Sequence, residues 1–188
     1  MLRILSCRLL AITLAITLVG CSSTPTIRPN ESIVITERDQ TFEITVPVSR
    51  VTLYLPRVSF SRKTPLYPGG ATANPRYFNF SDNNTGIIVS GWFEPAKEFD
   101  GVKEPHATSF DGVPLIYKNI TFNKIGDWDI VSYDILLQSI NIANIRAHLV
   151  RSGTWIELHI SGKPDDSLAN QRASIRELLK SIQVQERP

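Results

Sequence analysis

Arg146, His148, Glu157 and His159 bring the residue types best suited to chemistry into one short stretch of this 188-residue sequence. They flank Ser152-Gly153, a two-residue turn signal between two alternating runs, 144–150 and 154–161. A hairpin through that turn pairs His148 with Glu157 and Arg146 with His159, and it places Val150 opposite Trp155 on the same face. Direct partners then have Cβ atoms about 4.5–5.5 Å apart and diagonal ones about 7–8 Å. His148 and His159 are diagonal, so both reach a common point with Glu157 between them, and two imidazoles with one carboxylate match a catalytic zinc set. Arg146 stands opposite His159, however, and a guanidinium there repels a cation. The expected arrangement is therefore a ladder of ion pairs and hydrogen bonds, with Glu157 held by Arg146 and His148 and with Trp155 packed on Val150. It serves as a candidate binding face with no metal and no cofactor. The alternative is a metal- or small-ligand-binding protein, a hydrolase included, that uses His148, Glu157 and His159.

Little else in the chain has the makings of a reaction. The signatures G-x-S-x-G, G-x-x-x-x-G-K-[ST], H-E-x-x-H and G-x-G-x-x-G are all missing. The two cysteines are Cys7 and Cys21, so the domain that follows holds no thiol nucleophile and no disulfide. Asp127-Trp128-Asp129 reads as a turn with a packing Trp, and Pro68-Gly69-Gly70-Ala71 as a turn too short for a phosphate loop. Trp92 and Trp155 are expected in the core. With no nucleophile and no oxyanion site there is no catalytic residue to assign.

The hairpin that carries the polar face has a second face on which every pair is apolar: Leu149 with Ile156, Ala147 with Leu158, Ile145 with Ile160. A slip of one residue would reverse the two faces, so the register is fixed by burial. A helix opened by Pro164, with Asp165 as its cap, carries Leu168, Ile175, Leu178, Leu179 and Ile182 as one stripe and should cover that apolar face. Upstream, short strands are expected over 33–36, 42–46 and 51–55, with Pro47 and Pro56 marking edge positions. Residues 77–80 and 86–93 form a second hairpin around Asp82-Asn83-Asn84-Thr85, and its second strand should be central. One helical turn follows over 95–99. Segments 56–76 and 101–114 are long polar loops, 116–125 is ambiguous, and 130–137 is a strand with Val131, Tyr133, Ile135 and Leu137 on one side. Strands followed by a closing helix make an α+β fold with a mainly antiparallel sheet.

The chain opens with an address. Arg3 and Arg8 precede an apolar run, Leu9 to Val19, of 11 residues, too short to cross about 30 Å of hydrocarbon and right for a signal peptide. The run ends in Leu18-Val19-Gly20-Cys21, which resembles the lipobox of bacterial lipoproteins. That resemblance implies lipidation of Cys21 with chains such as palmitate, and a membrane lipid anchor facing the periplasm. Ser22 follows where an Asp commonly retains such proteins at the inner membrane, so the outer membrane is the expected location. The domains are then 1–20 signal, 21–32 tether rich in Ser, Thr and Pro, and 33–188 a single α+β unit. Without Arg3 and Arg8 the 20 basic residues fall to 18, equal to the 18 acidic ones, and a neutral domain is no nucleic-acid binder.

Gly91-Trp92-Phe93-Glu94-Pro95-Ala96 with Phe99, Ile145-Arg146-Ala147-His148, and Trp155 to Ser161 together resemble uncharacterised bacterial lipoproteins, as does the helix end Leu179-Lys180-Ser181-Ile182. The layout looks like the PsbP fold, an α/β/α arrangement whose known members bind proteins or support assembly. The resemblance implies a non-catalytic module with a protein partner in the cell envelope, and it assigns no site residues.

Overall fold

Alternation along the strands divides the chain between two antiparallel sheets. The computed structural model describes residues 32–57, 60–63, 76–105, 109–110, 112–137, 139–164 and 166–188. Cys21, the signal segment, nearly all of the tether, Pro68-Gly69-Gly70-Ala71, His106 and Asp165 lie outside the described residues. The smaller sheet joins β1 (Val34–Glu37), β2 (Thr41–Thr45), β3 (Val51–Pro56) and, from the far end of the chain, β13 (Gln183–Glu186), in the order β1-β2-β3-β13.

Among the described residues the larger sheet has seven strands. They are β4 (Phe60–Arg62), β5 (Tyr77–Asp82), β6 (Ile88–Pro95), β9 (Ile116–Ile125), β10 (Trp128–Leu137), β11 (Ile140–Arg151) and β12 (Thr154–Ser161), ordered β4-β5-β6-β12-β11-β10-β9. A small pair, β7 (Ser109–Phe110) with β8 (Val113–Pro114), lies in the connection from β6 to β9. The one α-helix among the described residues is α1 (Leu168–Ser181).

The C-terminal hairpin has the expected register. Leu149 pairs with Ile156, Ala147 with Leu158 and Ile145 with Ile160, while His148 faces Glu157 and Arg146 faces His159. The apolar set is buried, together with Val89, Phe93, Phe78 and Phe80 of the neighbouring strands. Against it lie Ile175 and Leu179 of α1 and Phe42, Ile44, Leu53 and Leu55 of the smaller sheet, in one cluster. Phe42 meets Phe80 at 4.6 Å between ring centres, which ties the sheets together. Gly91 sits where a Cβ would come within 2.7 Å of the Phe78 ring, so its bare backbone allows that ring to cross β6.

The fold class is as expected: antiparallel sheet with a C-terminal helix packed on the apolar face of the hairpin. The 77–80/86–93 hairpin, the central place of β6 and the turn at Ala96–Glu98, a 3₁₀ turn, also agree. Trp128 packs in the core beside the turn at Gly126-Asp127, Asp127 pairs with Arg151, and Asp129 reaches Lys124 at 2.7 Å.

Other details differ. The helix is capped by Ser167, whose hydroxyl accepts from Asn170 N at 3.2 Å. β2 and β3 are interior strands, not edges. Pro47 lies two residues past the end of β2, and Pro56 lies past Tyr54, where pairing with β13 stops, so neither removes a ladder bond. The ambiguous 116–125 is strand β9, and part of the 101–114 loop is the β7–β8 pair. Trp92 and Trp155 are not core residues. Each stands in register beside Glu157 or Val150 and so faces away from the core, half-buried on the other side of the sheet.

Candidate functional site

Period-two alternation forces the four polar residues of the hairpin onto the face that α1 and the smaller sheet leave open. The chain from β6 to β9 crosses part of this face. Phe99 comes down on Trp155 at 5.3 Å between centroids and on His148 at 5.9 Å. Beyond it, Pro105 and Leu115 form one lip of a cavity of about 480 Å³.

The floor of the cavity is polar and closely knit. Arg146 donates to Glu157 Oε1 from Nε at 2.7 Å and from Nη2 as well. Glu157 is only 1% exposed, so this pair is a buried one. His148 approaches Glu157, as the ladder required, but does not hydrogen-bond to it. His148 Nδ1 lies 3.7 Å from Glu157 Oε2, too far for a hydrogen bond, and accepts instead from Trp155 Nε1 at 3.3 Å. Trp155 is correspondingly stacked on His148 and Phe99 as well as facing Val150. With Nδ1 an acceptor, the neutral ring keeps its hydrogen on Nε2, which is buried and has no partner among the described residues.

His159 lies on the far side of Arg146. Its Nε2 is 3.2 Å from both the Tyr133 hydroxyl and Asn144 Oδ1. Burial, and secondarily the Arg146 charge, push both imidazoles down to about 4, so neither is charged at neutral pH. Burial also raises the Tyr133 hydroxyl well above its ordinary value, so it keeps its proton.

The structure thus brings Arg146, Glu157 and His159 together in the cavity and leaves His148 beneath Phe99. Among the described residues, no three His, Cys, Asp or Glu are grouped to hold a metal ion. The sequence reading missed the walls: Ile88, Trp92, Leu115, Tyr117, Ile135 and Ile142. Val131, Tyr133, Ile135 and Leu137 were legible as one side of a strand, but which side the core would take was not. Four large apolar residues on this open face are also well exposed: Ile88, Phe122, Ile140 and Val150.

The fold and site define an α+β protein whose antiparallel sheet covers a core on one face and bears an apolar groove with a polar floor on the other. No protein-family model matches the chain, and no curated protein matches it in sequence. Among solved structures it is similar to the solution structure of cyanobacterial PsbP (CyanoP) from Synechocystis sp. PCC 6803. That likeness has 12% identity over 89% of this chain and 99% of that one, with a TM-score of 0.48. It is also similar to a crystal structure from Bacteroides thetaiotaomicron VPI-5482, with 10% identity over 73% of this chain and a TM-score of 0.42. The match spans 46% of that longer chain.

Proposed function

We propose that this protein is a non-catalytic, lipid-anchored binding module of the bacterial envelope that holds its ligand in the groove on the open face of the large sheet. The observation that carries the reading is the groove itself. Its volume of about 480 Å³ falls in the range of small-molecule sites, roughly 300–1,000 Å³, and it is apolar-walled with a few fixed polar groups. Those polar groups are largely engaged with one another, and the one serine among the described lining residues, Ser161, donates to Asn144 Oδ1 and not to a base. The anchor rests on Leu18-Val19-Gly20-Cys21 after its apolar run, and Ser22 favours the outer membrane, facing the periplasm. Among the described residues no helix is long and apolar enough to cross a membrane.

A protein partner in the envelope is the second reading. Phe122, Ile140 and Val150 favour it, because they extend the apolar surface beyond the groove. The test uses the full chain in cells, with a photoreactive amino acid at Ile142 in the groove or at Glu98 outside it. Crosslinked product from Ile142 alone is expected, and equal product from both positions would overturn the groove as the binding element. Cys21→Ser should abolish acyl labelling, and labelling that persists would remove the anchor.

A further inference from the structure

We infer that the groove is selective for an uncharged amphipathic molecule, one with an acyl or similarly apolar body and a carbonyl-type acceptor in its head. The inference rests on the groove being the binding element and names what it takes. It begins with charge. Of the described residues lining the cavity, Arg146 and Glu157 alone are charged, and they neutralise each other. His159 is neutral by burial. A ligand carboxylate would compete with Glu157 for Arg146 and leave one of the two buried anions unpaired. A ligand ammonium would meet a carboxylate already held by a guanidinium. Either charge is desolvated with no counter-charge waiting, and that cost is large compared with any hydrogen bond gained.

The second observation is the polarity of the free groups. Asn144 Nδ2 donates to the Ile142 carbonyl at 2.9 Å, which turns Oδ1 toward Ser161 Oγ at 2.6 Å and His159 Nε2 at 3.2 Å. An amide oxygen only accepts, so His159 carries its hydrogen on Nε2. The Tyr133 oxygen, at 3.2 Å from the same nitrogen, then accepts from it too and keeps its own hydrogen for another partner. Arg146 spends Nε and Nη2 on Glu157, and its Nη1 has no hydrogen bond among the described residues. The floor therefore presents two donors, Tyr133 O–H and Arg146 Nη1, below the apolar walls. Acceptors of an ester, amide or ketone head match them without bringing a charge.

The test is photolabelling of the full chain in nanodiscs with three 12-carbon diazirine probes: a 1-monoacylglycerol, the matching fatty acid, and the matching alkylammonium. Labelled peptides are read by mass spectrometry. The neutral probe is expected to label 133–142 saturably, in competition with unlabelled monolauroylglycerol, and at least about tenfold more than either charged probe. Tyr133→Phe keeps the ring and should weaken this labelling about fivefold, as the loss of one hydrogen bond implies. Equal or stronger labelling by the fatty acid overturns the ligand class. Labelling unaffected by Tyr133→Phe overturns the donor assignment, and with it the class. If no acyl probe labels the groove while the crosslinker at Ile142 still captures a protein, this inference falls and the binding face stands. If neither gives product, both fall.

Discussion

His148 is held neutral in a place where protonation is costly. Its pKa is about 4 in the fold, below the ordinary 6.5, so the unfolded chain binds the proton more readily. Between those values the unfolded state carries more protons, and stability rises with pH. The contribution is complete above about pH 6.5 and is lost as pH falls toward 4, on the order of 3 kcal/mol for a shift of this size. His159 acts in the same direction. Chemical denaturation of the wild type at pH 7 and pH 5 should show the loss, and His148→Phe should reduce it by about half. An unchanged pH dependence in that variant would show that His148 is not the titrating group. The neighbouring Arg146–Glu157 pair makes a second case. Glu157→Met strands a guanidinium and Arg146→Met strands a carboxylate that is 1% exposed, each costing about 3–5 kcal/mol. The double substitution should be more stable than either single one, as thermal melts of the four proteins would measure. Summed single effects would mean that the two charges act independently.

At the scale of elements, the C-terminal hairpin was readable because its two faces differ in every pair. One register satisfies burial, and Ser152-Gly153 turns it, with both residues at positive φ. The helix was readable as a stripe, but Gln171 was not, since a polar residue on an apolar stripe carries no sequence signal for its partners. Its Oε1 accepts from Ala143 N at 2.8 Å and its Nε2 donates to Asp166 O at 2.8 Å, which sews α1 to the start of the hairpin. Gln171→Ala should cost about 1–3 kcal/mol by leaving a buried amide unpaired, measurable by urea denaturation. A loss under half a kilocalorie would show that the stripe alone seats the helix. The open face was half legible: the residues that line it alternate correctly, but only the covering by Phe99, from a segment without periodicity, separates His148 from the groove. β13 was missed because Gln183-Val184-Gln185 offers a single apolar residue, too short a pattern to read.

For the whole molecule, the smaller sheet is closed by that missed strand. Val184 pairs with Leu53 and Gln183 with Tyr54, and Arg187 N bonds to the Arg50 carbonyl at 2.7 Å. A chain ended after Ile182 leaves β3 as an open edge with Val51, Leu53 and Leu55 beneath it. It should melt lower than the full chain and associate through that edge, as calorimetry and light scattering would detect. Equal melting temperatures would mean that β13 merely rests on the sheet.

Tyr54 waits for a partner 129 positions further along the chain. A polypeptide emerging from the ribosome makes β3 early and cannot give it its second neighbour until residues 183–186 are out. The most sequence-distant pairing of the smaller sheet is therefore the one that completes it, at the edge opposite β1. Until β13 arrives, the smaller sheet is a three-stranded fragment whose newest strand, β3, is still half-paired.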